Sequence, residues 1–254
     1  MSNAIGGLTL QLVAEESLRT LVPQLAPLTK IAVTDFGAYV AEPAGKPRGA
    51  LLVVQEIFGV NQHIKAVTDG YAADGYLAIA PALFDRGHKG FEVGYSQADI
   101  EAGRAAMQKL EWKNTMADVA VTIAHVKHAG KVGITGYCWG GTVSWNAACN
   151  ADGIACAVPY YGGGIPGMAE QQPKVPVMFH WGETDHSIPM DAVRDVEFPR
   201  RADGSLDVAR AAPFLRGAAQ LLEMELEGRD HLKEYTQVII READRLQTLV
   251  DRLL

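Results

Sequence analysis

Continuous apolar runs alternate with amphipathic stretches through most of the chain. Runs of this kind without polar alternation are typical of strands that are buried on both faces of a sheet. Leucine, alanine, isoleucine and valine at three- and four-residue spacing between the runs indicate helices. The predicted strands are 51–54, 77–80, 132–135, 155–161 and 175–180, and the predicted helices are 61–74, 95–110 and 114–128. Strands that alternate with helices predict an α/β fold with a mostly parallel sheet and right-handed crossovers.

The two ends of the chain carry different patterns. Residues 8–28 have helical spacing that is ended by Pro23, which predicts a short helix. Residues 31–40 alternate loosely, as a strand or small hairpin would. Beyond the core, residues 214–254 form two amphipathic segments separated near Gly228. We therefore expect a helical extension at 1–29, a core at 30–196 and a helical hairpin at 197–254.

Composition narrows the class of protein. A chain of 254 residues that is 48% hydrophobic and 21% charged can bury one large α/β core. Its net charge of -7 argues against nucleic acid or an anionic membrane surface as the main partner. The 3 cysteines have no zinc-like spacing, which predicts no metal site and a reducing, cytoplasmic location. No apolar run is long enough to span a membrane, and the first residues lack a signal-peptide pattern.

The predicted strand 132–135 leads into a glycine-rich turn with Cys138 at its apex and Gly136 and Gly140 on either side. A nucleophile on a sharp strand-to-helix turn needs residues without side chains at these two positions. The first N–H groups of the following helix would favour a thiolate and hold a developing oxyanion. Cys138 is therefore a candidate nucleophile. The alternative is a buried structural cysteine in a turn.

Three charged residues follow predicted strands, at the edge where open α/β sheets bind their ligands. They are Glu56, Arg86 and Asp185. Arg86 could bind a substrate anion by a two-point contact, and Asp185 comes after the nucleophile in the chain order of a triad acid. The alternatives are a carboxylate that faces water for Glu56, a surface arginine for Arg86 and a turn or capping residue for Asp185.

Taken together, these segments resemble the dienelactone hydrolase family, a branch of the α/β-hydrolase fold that uses cysteine in place of serine. The resemblance covers about residues 30–195. It rests on the segments 55–61, 81–86, 136–141, 160–162 and 182–186, with Pro189. It implies hydrolysis of a small-molecule ester or lactone, expected to be anionic, through a thioester and without metal or organic cofactor.

The resemblance also implies a role for each candidate residue. Cys138 would be the nucleophile, Asp185 would orient the base, and Glu56 would interact with the thiol and help to activate it. Arg86 would bind the substrate carboxylate. The backbone N–H groups of Ile57 and Trp139 would form the oxyanion hole.

Beyond Asp185 the sequence departs from the family pattern, which continues with a helix, a strand and a Gly-His turn. Residues 191–210 contain no buried-strand run and no histidine, so the last strand and the loop of the triad histidine are expected to be missing. His231 is the remaining downstream candidate for the base. Loss of the base would impair activity.

The C-terminal segment resembles the dimerisation helices of nitrogen-regulation sensor histidine kinases. Leu206 stands roughly where their phosphoacceptor histidine would be, so no kinase chemistry follows. Two hypotheses of function remain. One is a cysteine-dependent ester or lactone hydrolase. The other is a non-catalytic hydrolase scaffold that forms a homodimer through its C-terminal helices.

Overall fold

The structure is a computed structural model, and it describes residues 8–9, 36–182 and 184–197. The chain forms two compact units, one up to Gly136 and one from Tyr137 onward. Each unit is described by itself below.

The first unit is built on a mixed sheet in which the central strands are parallel. Its strands are β1 (Leu8–Thr9), β2 (Gly37–Ala41), β3 (Ala50–Val54), β4 (Leu77–Pro81) and β5 (Val132–Tyr137), whose last residue belongs to the second unit. Their order is β1-β2-β4-β3-β5. Strand β3 runs parallel to β4 and β5, whereas β2 is antiparallel to β4 and to β1. Leu52, Ile79 and Ile134 are fully buried at its centre.

Helices flank this sheet. They are α1 (Gln62–Ala73), α2 (Gln97–Met107) and α3 (Trp112–Val126), followed by a short 3-10 helix (Lys127–Ala129). Helices α1 and α3 both pack against β4 and β3. Asn61 caps α1, because its side chain accepts a hydrogen bond from the backbone N–H of Ile64 at 3.2 Å.

The second unit begins with helix α4 (Trp139–Asn150), which packs against strand β6 (Cys156–Tyr160). A short 3-10 helix (Pro166–Met168) and helix α5 (Met190–Glu197) follow. Trp145, Val143 and Ala147 of α4 are buried, so the helix contributes a large part of the apolar interior of this unit.

The predicted α/β fold with a mostly parallel sheet is confirmed. The predicted strands 51–54, 77–80 and 132–135 correspond to β3, β4 and β5, and 155–161 corresponds to β6. The predicted helices 61–74, 95–110 and 114–128 correspond to α1, α2 and α3 within a few residues.

The predicted strand 175–180 is only partly correct. Two isolated parallel bridges, Ala157 with Val177 and Tyr160 with His180, stand where a continuous strand was expected. Ala157 and Tyr161 donate to this segment, and Met178 and His180 donate back to β6. Between them lies Pro159, which has no N–H to donate. The proline therefore interrupts the ladder in the middle of the pair.

The prediction of a helix over 8–28 is wrong at its first two residues. Leu8 and Thr9 pair antiparallel with Ala38 and Gly37 of β2. Pairing with a sheet edge overrides local helical spacing, because backbone hydrogen bonds to a neighbour are not encoded in that spacing. Residues 10–35 and 198–254 lie outside the described residues, as do the predicted C-terminal hairpin and His231.

None of the described helices is both long enough and apolar enough to cross a membrane.

Candidate active site

Cys138 occupies a strained turn between β5 and α4. Its backbone has φ 55° and ψ -117°, a conformation that L-residues rarely adopt. Holding a non-glycine residue there costs about 1 to 3 kcal/mol, and such residues persist where the surrounding structure fixes them. The side chain is half-buried. The geometry is that of a nucleophile at a strand-to-helix elbow.

Backbone hydrogen bonds within the second unit hold this turn. The N–H of Cys138 donates to the carbonyl of Tyr160 at 3.1 Å, at the end of β6. The next residue, Tyr161, also has a positive φ of 37°, and its N–H donates to the carbonyl of His180 at 2.8 Å. The N–H of Cys138 is thus bonded to the residue that precedes Tyr161, and each of the two residues with positive φ is held by a backbone hydrogen bond.

Glycines allow the loop after β6 to approach the first turn of α4. A Cβ on Gly141 would lie 2.3 Å from the Tyr160 carbonyl oxygen, and one on Gly164 would lie 2.7 Å from Cγ2 of Thr142. The N–H of Gly164 donates to the Thr142 hydroxyl at 3.1 Å. The run 162–164, predicted as a turn, is thus also the surface on which the start of α4 packs.

Trp139, the predicted oxyanion donor, is the first residue of α4. The first N–H groups of a helix have no partner within that helix and are favourably placed for negative charge. Cys138 itself provides no side-chain cap for them.

Asp185 was predicted either as a triad acid or as a turn residue, and the hydrogen bond that its side chain makes is that of a turn residue. Oδ1 accepts the backbone N–H of Ser187 at 2.8 Å, as in an Asx turn. Within the described part of the chain, Oδ2 accepts no hydrogen bond. The half-buried carboxylate therefore has one oxygen fixed by the turn.

The histidines described in the second unit are His180 and His186. The His180 ring stacks on Tyr160 with centroids 4.3 Å apart and planes 6° apart. Desolvation lowers the pKa of His180, so its imidazole is neutral at physiological pH. His186 is exposed beside Asp185.

Glu56 lies in the first unit, directly after β3, and is 8% exposed. The hydroxyl of Tyr95 donates to its Oε2 at 3.0 Å, and the amide of Asn61 donates to the Tyr95 oxygen at 3.3 Å. The interpretation of Glu56 as a loop carboxylate facing water is therefore wrong. A buried carboxylate needs partners such as these.

The turn 57–59 follows Glu56 and is tightly fixed. A Cβ on Gly103 of α2 would lie 2.4 Å from the Ile57 carbonyl oxygen, and one on Gly59 would lie 1.8 Å from that of Phe91. The N–H of Val93 donates to the Phe58 carbonyl at 3.0 Å. Among the residues that the structure describes, none accepts a hydrogen bond from the backbone N–H of Ile57, although Ile57 is only 9% exposed. Buried backbone donors without a partner are rare.

Arg86 is engaged by a carboxylate of the protein itself. Its Nε and Nη2 donate to Oδ2 and Oδ1 of Asp118, each at 2.6 Å. Burial raises the pKa of Asp118, and the Arg86 guanidinium opposes that rise. The two-point contact that was predicted for a substrate carboxylate is therefore made with α3, and a substrate would have to displace Asp118 to receive it.

In sum, the first unit carries Glu56, Ile57 and Arg86, and the second carries Cys138, Trp139 and Asp185. Sequence reasoning missed Tyr95, which no motif or periodicity distinguishes. In the described part of the chain, no group of three or more His, Cys, Asp or Glu side chains could hold a metal ion.

Comparison with known proteins identifies a family and similar folds. The Dienelactone hydrolase family matches residues 36–204. Carboxymethylenebutenolidase of Pseudomonas putida is 32% identical over 161 residues, which are 61% of this chain and 68% of that protein. A Synechocystis protein provisionally named carboxymethylenebutenolidase is 34% identical over 178 residues, 64% of this chain and 72% of that protein. The crystal structure of a provisionally named dienelactone hydrolase from Klebsiella pneumoniae has a TM-score of 0.55 and 29% identity, covering 64% of this chain and 73% of that one.

Proposed function

The chain belongs to the dienelactone hydrolase family and is a carboxylic ester hydrolase, and on that premise we propose that it cleaves small esters or lactones with Cys138 as nucleophile. Carboxymethylenebutenolidase, the name of its relatives, denotes hydrolysis of a lactone. The proposed substrate class is therefore a small molecule with an activated ester or lactone carbonyl.

One observation carries this proposal: the backbone of Cys138 at φ 55° and ψ -117° between a strand and a helix. A buried structural cysteine has no need of a strained conformation, which costs stability. Cys149, near the other end of the same helix, shows the difference. It lies in regular helix, and burial raises the pKa of its thiol to about 12.

In the first step, the Cys138 sulfur attacks the carbonyl carbon and a carbon–sulfur bond forms. The electron pair of the C=O π bond moves to the oxygen, which the N–H groups of Ile57 and Trp139 stabilise. Removing one such donor typically costs about 3 to 4 kcal/mol of transition-state stabilisation. The support for these donors is the Ile57 N–H, which has no acceptor among the residues that the structure describes, and the helix-start position of Trp139.

Collapse of this intermediate breaks the bond to the leaving-group oxygen, which takes the proton that the thiol gave up. The acyl group remains on Cys138 as a thioester. Water then attacks the thioester carbonyl, the sulfur leaves and is protonated again, and the carboxylic acid product is released. These steps require no oxidant, metal or organic cofactor.

The proposal gives the carboxylates two tasks. Glu56 receives the thiol proton, supported by its burial and its fixed orientation. Asp185 orients a histidine base through Oδ2, supported by that oxygen's lack of a hydrogen bond among the described residues. His231 stays a prediction for this base.

We assign Arg86 to the structure of the first unit rather than to the substrate. A guanidinium in a two-point pair with a buried carboxylate has its strongest directions occupied. An anionic substrate would then need another cation, so the predicted preference for anions loses its main support.

Steady-state hydrolysis of p-nitrophenyl acetate by the unmutated protein and by Cys138→Ala tests this function. We expect kcat/KM to fall by at least about 10³-fold, as for loss of a nucleophile in a triad. Cys156→Ala is the matched control, because that thiol is exposed and lies at the start of β6. Equal rates for the unmutated protein and Cys138→Ala would contradict the proposal.

A further inference from the structure

Tyr95 combines high exposure with a fixed contact. Its side chain is 55% exposed, which is unusual for a large aromatic residue. Its hydroxyl nevertheless donates to Oε2 of Glu56 at 3.0 Å. An exposed tyrosine has no need of a buried carboxylate as its partner, since water can satisfy its hydroxyl. The carboxylate, in contrast, needs its donors.

The ring of Tyr95 is held from a second side. It packs edge-on against Phe58 with centroids 4.6 Å apart, within the turn that carries Ile57. Asn61 donates to the Tyr95 oxygen at 3.3 Å while its own Oδ1 caps helix α1. The hydroxyl therefore accepts from a residue fixed by the helix and donates to Glu56, which defines the direction of its proton.

The segment that carries Tyr95 is fastened to the same turn. Glu92 forms a bridge with Gly59 and an ion pair with Lys65 at 2.7 Å, and the N–H of Val93 donates to the Phe58 carbonyl. Tyr95 is followed by Ser96, the cap of helix α2. Tyr95 is thus anchored before and after its own position, and its hydroxyl is aimed by the backbone.

From this geometry we propose that Tyr95 is a positioning residue for the hydrolase reaction, which fixes the orientation of the Glu56 carboxylate. This inference rests on the proposed function, because Glu56 must act on Cys138 for its orientation to matter. The hydrogen bond occupies Oε2 and so fixes the plane of the carboxylate. Loss of this donor would change the position of Oε2, and proton transfer is sensitive to such a change in alignment.

Tyr95 remains a donor at the pH of the reaction. Desolvation raises the pKa of Tyr95 above its usual value, the hydrogen bond from Asn61 opposes that rise, and the charge of Glu56 adds to it. The phenol is therefore protonated at neutral pH and can donate its hydrogen bond to Glu56.

The test combines Tyr95→Phe with Glu56→Gln. We expect Tyr95→Phe to lower kcat for p-nitrophenyl acetate by about three- to tenfold with KM unchanged, the effect of one hydrogen bond. In the Glu56→Gln background the same change should alter kcat less than about twofold, because there is no carboxylate left to orient. An equal loss in both backgrounds, or no loss in either, would overturn the proposal.

Tyr39→Phe is the matched control. Its hydroxyl also donates to a carboxylate, Oδ1 of Asp69 at 2.8 Å, but from strand β2. We expect kcat to be unchanged in this variant. A loss equal to that of Tyr95→Phe would show a general effect of removing a tyrosine hydroxyl and would overturn the proposal. Thermal unfolding of each variant verifies that the protein is folded.

A second readout separates this proposal from the proposed function. The rate of Cys138 alkylation by iodoacetamide at pH 7, followed by peptide mass spectrometry, needs no hydrolysis. Tyr95→Phe and Glu56→Gln should both slow this rate, and the double variant should match Glu56→Gln alone. If Glu56→Gln slows alkylation and Tyr95→Phe does not, or if neither does, Tyr95 has no positioning role. If Cys138→Ala hydrolyses normally, the proposed function fails instead.

Discussion

Helices α1 and α4 begin in opposite ways. Asn61, at the start of α1, has an ordinary φ of -76° and caps the helix through its side chain. Cys138, at the start of α4, has φ 55° and makes no side-chain cap. The first arrangement stabilises a helix end, whereas the second leaves the N–H groups of the helix end to other partners and holds a thiol in a strained turn. The start of α4 thus gives up stability that the start of α1 gains.

A buried and an exposed ion pair form a second comparison. The buried Arg86–Asp118 pair has the largest expected effect on stability. Asp118→Ala should lower the free energy of unfolding by about 3 to 5 kcal/mol, because it leaves a largely buried guanidinium without its partner. Chemical denaturation measures this loss. The matched control is Asp152→Ala, since Asp152 is 96% exposed in its pair with Lys174 and should show no measurable change. If both variants are equally stable, Arg86 is not a structural residue.

Two helix glycines provide the next test. Gly141→Ala in α4 should lower the free energy of unfolding by about 3 kcal/mol, because the added Cβ would lie 2.3 Å from the Tyr160 carbonyl oxygen. Gly70→Ala in α1 meets nothing within 4 Å and should raise stability by about 0.5 to 1 kcal/mol. Effects of the same sign in both helices would contradict the close packing at the start of α4.

The regular part of the fold could be predicted from local sequence. The boundaries of α1 follow from the Asn61 cap and from Gly75, whose φ of 95° ends the helix. The Cys138 elbow was predictable because its glycines and the strand before it are contiguous. Its positive φ is typical of the strained strand-to-helix turn that this pattern predicts.

What could not be predicted depends on contacts between distant residues. Arg86 and Asp118 are 32 positions apart, and Tyr95 reaches Glu56 across 39 positions. No spacing rule identifies such partners. Likewise, the pairing of Leu8 with Ala38 overrides a helical pattern, and the effect of Pro159 on the segment beside it appears only once that pairing is known.

Two substitutions with opposite expected effects on the free energy of unfolding test the starts of α4 and α1. Cys138→Gly should raise the free energy of unfolding by about 1 kcal/mol, because glycine adopts the positive φ without strain but loses more entropy on folding. Asn61→Ala should lower it by about 1 kcal/mol through loss of the cap. Urea denaturation measures both. A loss of stability in Cys138→Gly would mean that the turn is not strained.

The two cysteines of the α4 region, Cys138 and Cys149, should differ in their reactivity toward an alkylating reagent. Burial raises the pKa of Cys149 to about 12, so its thiol stays protonated through neutral pH and ionises only as the pH approaches that value. At pH 8 we expect iodoacetamide to modify Cys138 and to leave Cys149 unmodified, as peptide mass spectrometry would show. Equal labelling of both would remove the distinction between the reactive and the structural cysteine.

The most direct measurement of the central claim is the mass of the Cys138 peptide after brief exposure to p-nitrophenyl acetate and acid quenching. The account predicts an acetyl group on Cys138 that forms as fast as p-nitrophenol is released and disappears on further incubation. Product release without any acyl group on Cys138, or acylation at another residue at the same rate, would contradict it.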